Sequence, residues 1–249
     1  MSYAKESSRW YSKSGDAIES VPSKAGTPRK PTIRDARKEG WLPSVTTILS
    51  CAAKPALDHW KQKNAIIAAL TTPRIEGEGE DAFAERVLSV DAQSVSDAAK
   101  EHGKRVHAAI EQALKGEQYD DALAPWVLPV INACAKYGEI RYNEKTIVGE
   151  GYAGKTDAVF ELDGNLTVVD FKTCSTIPKA QYDEHLMQLG AYANALKARQ
   201  TANIYILTAE PKIAVFENSF DEWDKAFNKG FIPLLNYWQY INKYNTQNI

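Results

Sequence analysis

Three cysteines in 249 residues are too few and too scattered to organise this chain. Cys51, Cys134 and Cys174 are odd in number and form no Cys-x-x-Cys pair, which excludes a disulfide framework and does not resemble zinc ligation. Long apolar runs are missing too. No stretch approaches the roughly eighteen residues that a membrane span requires, so no membrane association is expected. Met1-Ser2-Tyr3-Ala4-Lys5-Glu6 lacks the features of a signal peptide and the Arg-rich, acid-poor character of a transit peptide, and an intracellular (cytoplasmic) protein is expected. An excess of positive charge is also absent. With 30 Lys and Arg against 32 Asp and Glu the net charge is −2, so any nucleic-acid contact must be local. There is no internal repeat, and no helix-turn-helix or zinc-finger pattern that would read a DNA sequence.

What is present is ordinary globular material, 44% hydrophobic and 25% charged, long enough for one substantial core with a small elaboration. Residues 1–43, rich in Ser, Lys, Arg and Pro, are expected to form an N-terminal arm or small strand elaboration. Residues 44–249 are expected to be one domain, mostly helical over 44–137 and carrying the sheet and its flanking helices over 138–249. Within it, 44–71 reads as a helical region interrupted near Pro55, 72–80 as a loop, and 81–137 as helical with a break at 116–121. Three strands are predicted between Lys145 and Thr173. A helix over 182–199, a strand from Asn203, a short strand at 213–217 and a final helix from Asp221 to about Tyr244 follow. That order gives an α/β fold with a central sheet covered by helices.

The most informative stretch is a predicted hairpin. Thr156-Asp157-Ala158-Val159-Phe160-Glu161-Leu162 and Asn165-Leu166-Thr167-Val168-Val169-Asp170-Phe171-Lys172 are separated by Asp163-Gly164, a strong two-residue turn signal. If those two residues are the loop, Leu162 faces Asn165, and counting back sets Asp157 opposite Asp170 on one face of the sheet. Cross-strand Cβ atoms are about 4.5 to 5.5 Å apart, where two like charges destabilise unless something offsets them. A divalent cation would do so. Lys172 shares the face of Asp170, and Phe171 points to the other side.

Carboxylate oxygens suit hard cations such as Mg²⁺, which keeps several waters and takes one or two carboxylates plus substrate phosphate oxygens. A cation held there polarises a phosphodiester and lowers the pKa of a bound water, and Lys172 beside it can orient that water and stabilise developing charge. The reaction class implied is phosphodiester hydrolysis. The alternative, a chance triplet with an ordinary ion pair between Asp157 and Lys172, has an internal control. The chain's other acidic-x-Lys triplet, Glu210-Pro211-Lys212, carries a turn-forming proline and has no carboxylate at hairpin register.

Two helices supply further candidates. A helix from Asp97 to Lys115 has Val106, Ile110 and Leu114 on one apolar stripe, with His107 beside it and Glu111 one turn on. From the residues alone His107 is either a metal ligand, its second ring nitrogen held by Glu111 or water, or a half-buried histidine paired with Glu111. On the 182–199 helix, Leu186, Leu189, Ala193 and Leu196 form the core stripe. Gln181, His185, Gln188 and Tyr192 make a polar strip that either faces the site or is a solvated flank. Glu150 is either a further carboxylate or surface polarity. Lys54, Lys61, Lys63, Lys104, Arg105, Lys155 and Lys179 are the cations placed to touch phosphates, each of which has the alternative of a solvated face.

Gly154-Lys155-Thr156-Asp157, Val169-Asp170-Phe171-Lys172-Thr173 and Gln188-Leu189-Gly190-Ala191-Tyr192 together resemble the PD-(D/E)XK nuclease pattern in its RecB-like branch. Pro43-Ser44-Val45-Thr46-Thr47-Ile48-Leu49, Trp60-Lys61 and Gly103-Lys104-Arg105-Val106-His107 are similar to segments of phage exonucleases and of the mitochondrial genome maintenance exonuclease. The resemblance implies a restriction-endonuclease-like core with a mixed central sheet, preceded by a helical region. It implies an exonuclease that digests single- or double-stranded DNA ends in recombination, repair or replication, with a protein of those pathways as a further partner. His107, Asp157 and Asp170 would bind Mg²⁺ or Mn²⁺ together with the main-chain carbonyl of Phe171. Lys172 would be the catalytic lysine, and Gln188 and Tyr192 would support the site and the DNA. Asp170 stands where glutamate is commoner, a variation the branch tolerates. Some members carry an iron–sulfur cluster on four cysteines; three cysteines predict none here.

Overall fold

The computed structural model describes residues 9–91 and 96–246, so the Met1–Glu6 stretch lies outside the described residues. Contacts divide the chain into two compact units, Met1–Ala52 with Ala109–Ile249, and Ala53–Ala108.

The larger unit is built on a five-stranded sheet. Its strands are β1 (Glu139–Gly149), β2 (Tyr152–Leu162), β3 (Asn165–Cys174), β4 (Gln200–Leu207) and β5 (Ile213–Asn218), ordered β5-β4-β3-β2-β1. The pairs are antiparallel except β3 with β4. The β2–β3 turn is the predicted one. Asp163 and Gly164 both have positive φ, 51° and 75°, the conformation that lets a two-residue loop match the twist of its strands. Leu162 accordingly pairs with Asn165, and the ladder runs back in that register to Ala158 opposite Val169.

A parallel pair needs a crossover. Helix α1 (Asp183–Leu196) provides it between β3 and β4, burying Gln188, Leu189, Gly190, Ala191, Tyr192 and Ala193. Val159 and Val168 share one core with Leu189 of α1, with Trp223, Phe231, Leu235 and Trp238 from the C-terminal segment, and with Trp10. Trp10 is 1% exposed and sits edge-on to Trp238 at 6.0 Å and to Tyr244 at 6.3 Å.

Two elements differ from the sequence reading. Strand β1 starts at Glu139 rather than near Lys145, with a register shift between Ile140 and Tyr142. It is an edge strand whose first residues are exposed, so the apolar alternation that marks a half-covered strand is missing there. The C-terminal helix is interrupted. Helices Phe220–Ala226 and Ile232–Asn242 flank a π-helical turn at Phe227–Phe231. Pro233, in the first turn of the second helix, has no N–H to bond back one turn, and its ring crowds the carbonyl four residues earlier, which accounts for the widened turn.

The unit Ala53–Ala108 contains helices Pro55–Thr71 and Glu80–Asp91 and most of helix Ser96–Leu114. Arg86 fastens the loop before the second helix through both oxygens of Glu78, at 2.7 and 2.8 Å. Among the described residues no helix is long and apolar enough to cross a membrane.

Candidate active site

The site begins where the β2–β3 ladder stops. The last backbone pair is Ala158 with Val169, and one step further the Asp157 side chain takes over. Its Oδ2 accepts the Phe171 N–H at 2.7 Å. Asp170, on the neighbouring strand, is 2% exposed. Two residues along the same face, the Lys172 ammonium lies 2.8 Å from Asp170 Oδ2 and donates to Gln188 Oε1 at 2.9 Å. The hairpin register and the 3.6-residue period of α1 thus deliver Asp157, Asp170, Lys172 and Gln188 to one place.

The parallel β3–β4 register adds a row that the sequence motifs do not mark. It sets Asp170 beside Asn203 and Lys172 beside Tyr205. Asn203 is fully buried and donates from Nδ2 to Asp170 Oδ2 at 3.2 Å. Gln181 Nε2 donates to Asn203 Oδ1 at 2.5 Å, so the amide oxygen faces Gln181 and the NH₂ faces the carboxylate. On the other side Gln188 Nε2 donates to the Tyr192 hydroxyl at 3.2 Å. Tyr192 is 2% exposed, and its ring lies over Gly154, where a Cβ would fall 2.7 Å from the ring. Gly154 is needed for that close approach.

Both carboxylates make their hydrogen bonds to the protein through Oδ2; among the described residues none goes to either Oδ1. Electrostatics follow from the crowding. Burial and the neighbouring Asp170 charge raise the Asp157 pKa, against the pull of the Phe171 N–H, Lys172 and Lys155. Burial works to lower the Lys172 pKa, but the Asp170, Asp157 and Glu184 carboxylates together outweigh it and the net direction is up. Two carboxylates therefore share one ammonium. The donor set, two hard oxygens with unclaimed lone pairs and surplus negative charge, fits a divalent cation completed by water and substrate oxygens. Among the described residues no group of three or more His, Cys, Asp and Glu side chains gathers to hold a metal ion.

The remaining candidates are carried by several segments of the chain. His107 is half-buried on helix Ser96–Leu114 and belongs to the Ala53–Ala108 unit, as do Lys104 and Arg105. Lys104 is 3.5 Å from Glu101. The Glu111 carboxylate accepts from Lys115 at 2.5 Å. Lys155 is paired with Glu144, Lys179 is exposed between β3 and α1, and Glu150 is exposed in the β1–β2 turn. The Cys174 thiol donates to the Ile206 carbonyl at 3.6 Å, and burial pushes its pKa up. Gln181 and His185, placed on the polar strip by spacing, do face the sheet. Asn203 and Tyr205 had only a faint signal, two polar-capable side chains two apart in a stretch, Ala202 to Leu207, that is otherwise apolar.

Comparison with known proteins agrees with this arrangement. Residues 137–230, which hold β1 through β5 and α1, match the model of the PD-(D/E)XK nuclease superfamily. No curated protein sequence is a significant match. Three solved structures overlap more loosely. A protein titled SSO0001 is 19% identical, covering 72% of this chain and 86% of its own, at a TM-score of 0.35. An alkaline exonuclease, LHK-Exo, from Laribacter hongkongensis is 13% identical, covering 62% and 88%, at 0.30. A phage-related exonuclease from Haemophilus somnus 129PT is 12% identical, covering 60% and 89%, at 0.31. These three add no argument about the site. The match to the PD-(D/E)XK nuclease superfamily thus falls on residues 137–230, the segment on which Asp157, Asp170 and Lys172 converge.

Proposed function

We propose that the chain is a metal-dependent DNA exonuclease. The observation that carries the reading is the Lys172 ammonium, held between Asp170 Oδ2 and Gln188 Oε1 beside a second carboxylate whose pKa is raised by burial and by its neighbour. The superfamily uses divalent metals such as Mg²⁺ or Mn²⁺. Here Asp157 and Asp170, with the Phe171 main-chain carbonyl, are the residues proposed to hold one. When bound, such a cation supplies charge neutralisation at the scissile phosphate and a more acidic water.

The chain's own residues do the rest. Lys172 keeps its ammonium protonated against Asp170, so it acts as a donor that orients the attacking water and meets negative charge developing on phosphate oxygens. Gln188 fixes the direction of that donor, and buried Tyr192 fixes Gln188. Asn203 and Lys172 together hold Asp170 by Oδ2, which leaves Oδ1 for coordination. His107 keeps the ligand role implied by the sequence resemblance, and Lys104, Arg105, Lys155 and Lys179 the role of local phosphate contacts. The choice of end-dependent digestion rests on the sequence resemblance to phage exonucleases, as does the setting of DNA recombination, repair or replication.

The test is digestion of end-labelled single- and double-stranded linear DNA beside closed circular DNA, in Mg²⁺, Mn²⁺ or EDTA. Metal-dependent loss of linear DNA alone is expected. Cut circles would replace the reading with an endonuclease, and binding without cleavage under any metal would replace it with a DNA-binding subunit.

A further inference from the structure

One aromatic ring beside the site is both fixed and open. Tyr182 precedes α1, and 52% of it is exposed. Its backbone N–H donates to the Tyr205 hydroxyl at 3.4 Å, and the same hydroxyl is 2.7 Å from His185 Nδ1. Its ring meets the His185 ring edge-to-face, 5.4 Å between centroids at 87°, and the Tyr205 ring at 6.3 Å and 66°. Tyr205 is 1% exposed and is the strand neighbour of Lys172. The exposed ring is therefore anchored to the side chain in register with the proposed catalytic lysine. Among the described residues the other large exposed aromatics, Trp60, Phe220, Tyr237 and Tyr240, lie on other segments, and none belongs to this row.

A ring that is immobilised on two neighbours and still offers half of its surface has paid the ordering cost of stacking in advance. Nucleobases stack on such side chains whatever their sequence, because every base has a π face. We propose that Tyr182 is a stacking platform for an unpaired nucleobase of the DNA strand in the site, with His185 and Tyr205 as its support. The proposal rests on the nuclease reading above and adds a substrate contact to it. An unpaired base at a strand end, or a frayed terminal pair, is the substrate element of matching chemistry.

The experiment uses linear strands with 2-aminopurine or an abasic nucleotide at either end, and the parental chain beside Tyr182→Ala and Tyr182→Phe. In Ca²⁺ or EDTA, 2-aminopurine fluorescence should be quenched on binding to the parental chain and to Tyr182→Phe, and not with Tyr182→Ala. In Mg²⁺, Tyr182→Ala should raise KM about tenfold with kcat unchanged, the scale of losing one stacked base. On abasic-ended strands the parental chain and Tyr182→Ala should behave alike. Unchanged quenching in Tyr182→Ala, or an equal penalty on abasic-ended strands, would overturn the platform. The two readings fail separately. Quenching that depends on Tyr182 without cleavage would sink the nuclease and keep the platform, and cleavage indifferent to Tyr182 would do the reverse.

Discussion

The chain holds two acidic-x-Lys triplets, and the structure treats them oppositely. Asp170-Phe171-Lys172 lies in a strand flanked on both sides. Its acid is almost fully buried and its lysine is held by a carboxylate and an amide. Glu210-Pro211-Lys212 lies in the exposed turn between β4 and β5, where the Lys212 N–H donates to the Glu210 carbonyl at 2.8 Å. The pattern is the same, and the difference comes from the surroundings. In the strand, period-2 geometry aligns the two charged side chains and sends Phe171 to the other face. The turn has no neighbouring strand to bring up a second carboxylate.

The comparison can be broken or sharpened experimentally. The largest contrast is in metal binding. Mn²⁺ titrated into Asp170→Asn should bind at least about 100-fold more weakly than into the parental chain, because a ligand oxygen and its charge are lost. Glu210→Gln should bind as the parental chain does. Equal affinities in all three would dissolve the distinction. Next comes the support of Asp170. Asn203→Leu should weaken Mn²⁺ binding about 10-fold, the scale of losing a hydrogen-bond partner behind a ligand. Asn218→Leu, which removes the other buried strand asparagine and its bond to Thr201, should leave the metal affinity alone.

Smaller effects concern stability. Gly154→Ala pushes a methyl group into the Tyr192 ring and should cost about 1 to 3 kcal/mol, read as a lower thermal midpoint. A midpoint equal to the parental value would show that Tyr192 does not depend on that contact. The other effect on stability is a slope in pH. Because burial and Asp170 raise the Asp157 pKa from the ordinary 3.8 to about 7, the folded metal-free chain holds that proton more tightly than the unfolded one. The stability so gained is complete below about pH 4 and is lost as pH rises toward about 7, by no more than about 1.4 kcal/mol per unit. Asp157→Asn should remove this part of the slope in chemical denaturation, and Glu210→Gln should not. Identical slopes in all three chains would remove the like-charge account.

Legibility followed the range of the interaction. The Asp163-Gly164 turn and the alternation beside it are local, so the register from Leu162 with Asn165 to Ala158 with Val169 was readable to the residue; the ladder stops before the expected Asp157–Asp170 pair, where the Asp157 side chain accepts the Phe171 N–H instead. The i, i+4 spacing of Gln188 and Tyr192 was equally local. Asn203 was not readable as part of the site, because its role depends on a parallel pairing set by a helical crossover, and nothing in its own segment records that register. The edge strand β1 and the widened turn before Pro233 escaped for a similar reason. One has no covered face to show in its first residues, and the other is a helix whose apolar stripe runs on through the interruption.

The most direct test of the account is the rate of digestion of linear DNA in saturating Mn²⁺ by the parental chain, Lys172→Ala and Lys212→Ala, with folding checked by circular dichroism. The account predicts a loss of at least about 100-fold in Lys172→Ala, the scale of removing one donor to developing charge, and a parental rate in Lys212→Ala. Digestion by folded Lys172→Ala at the parental rate would contradict it.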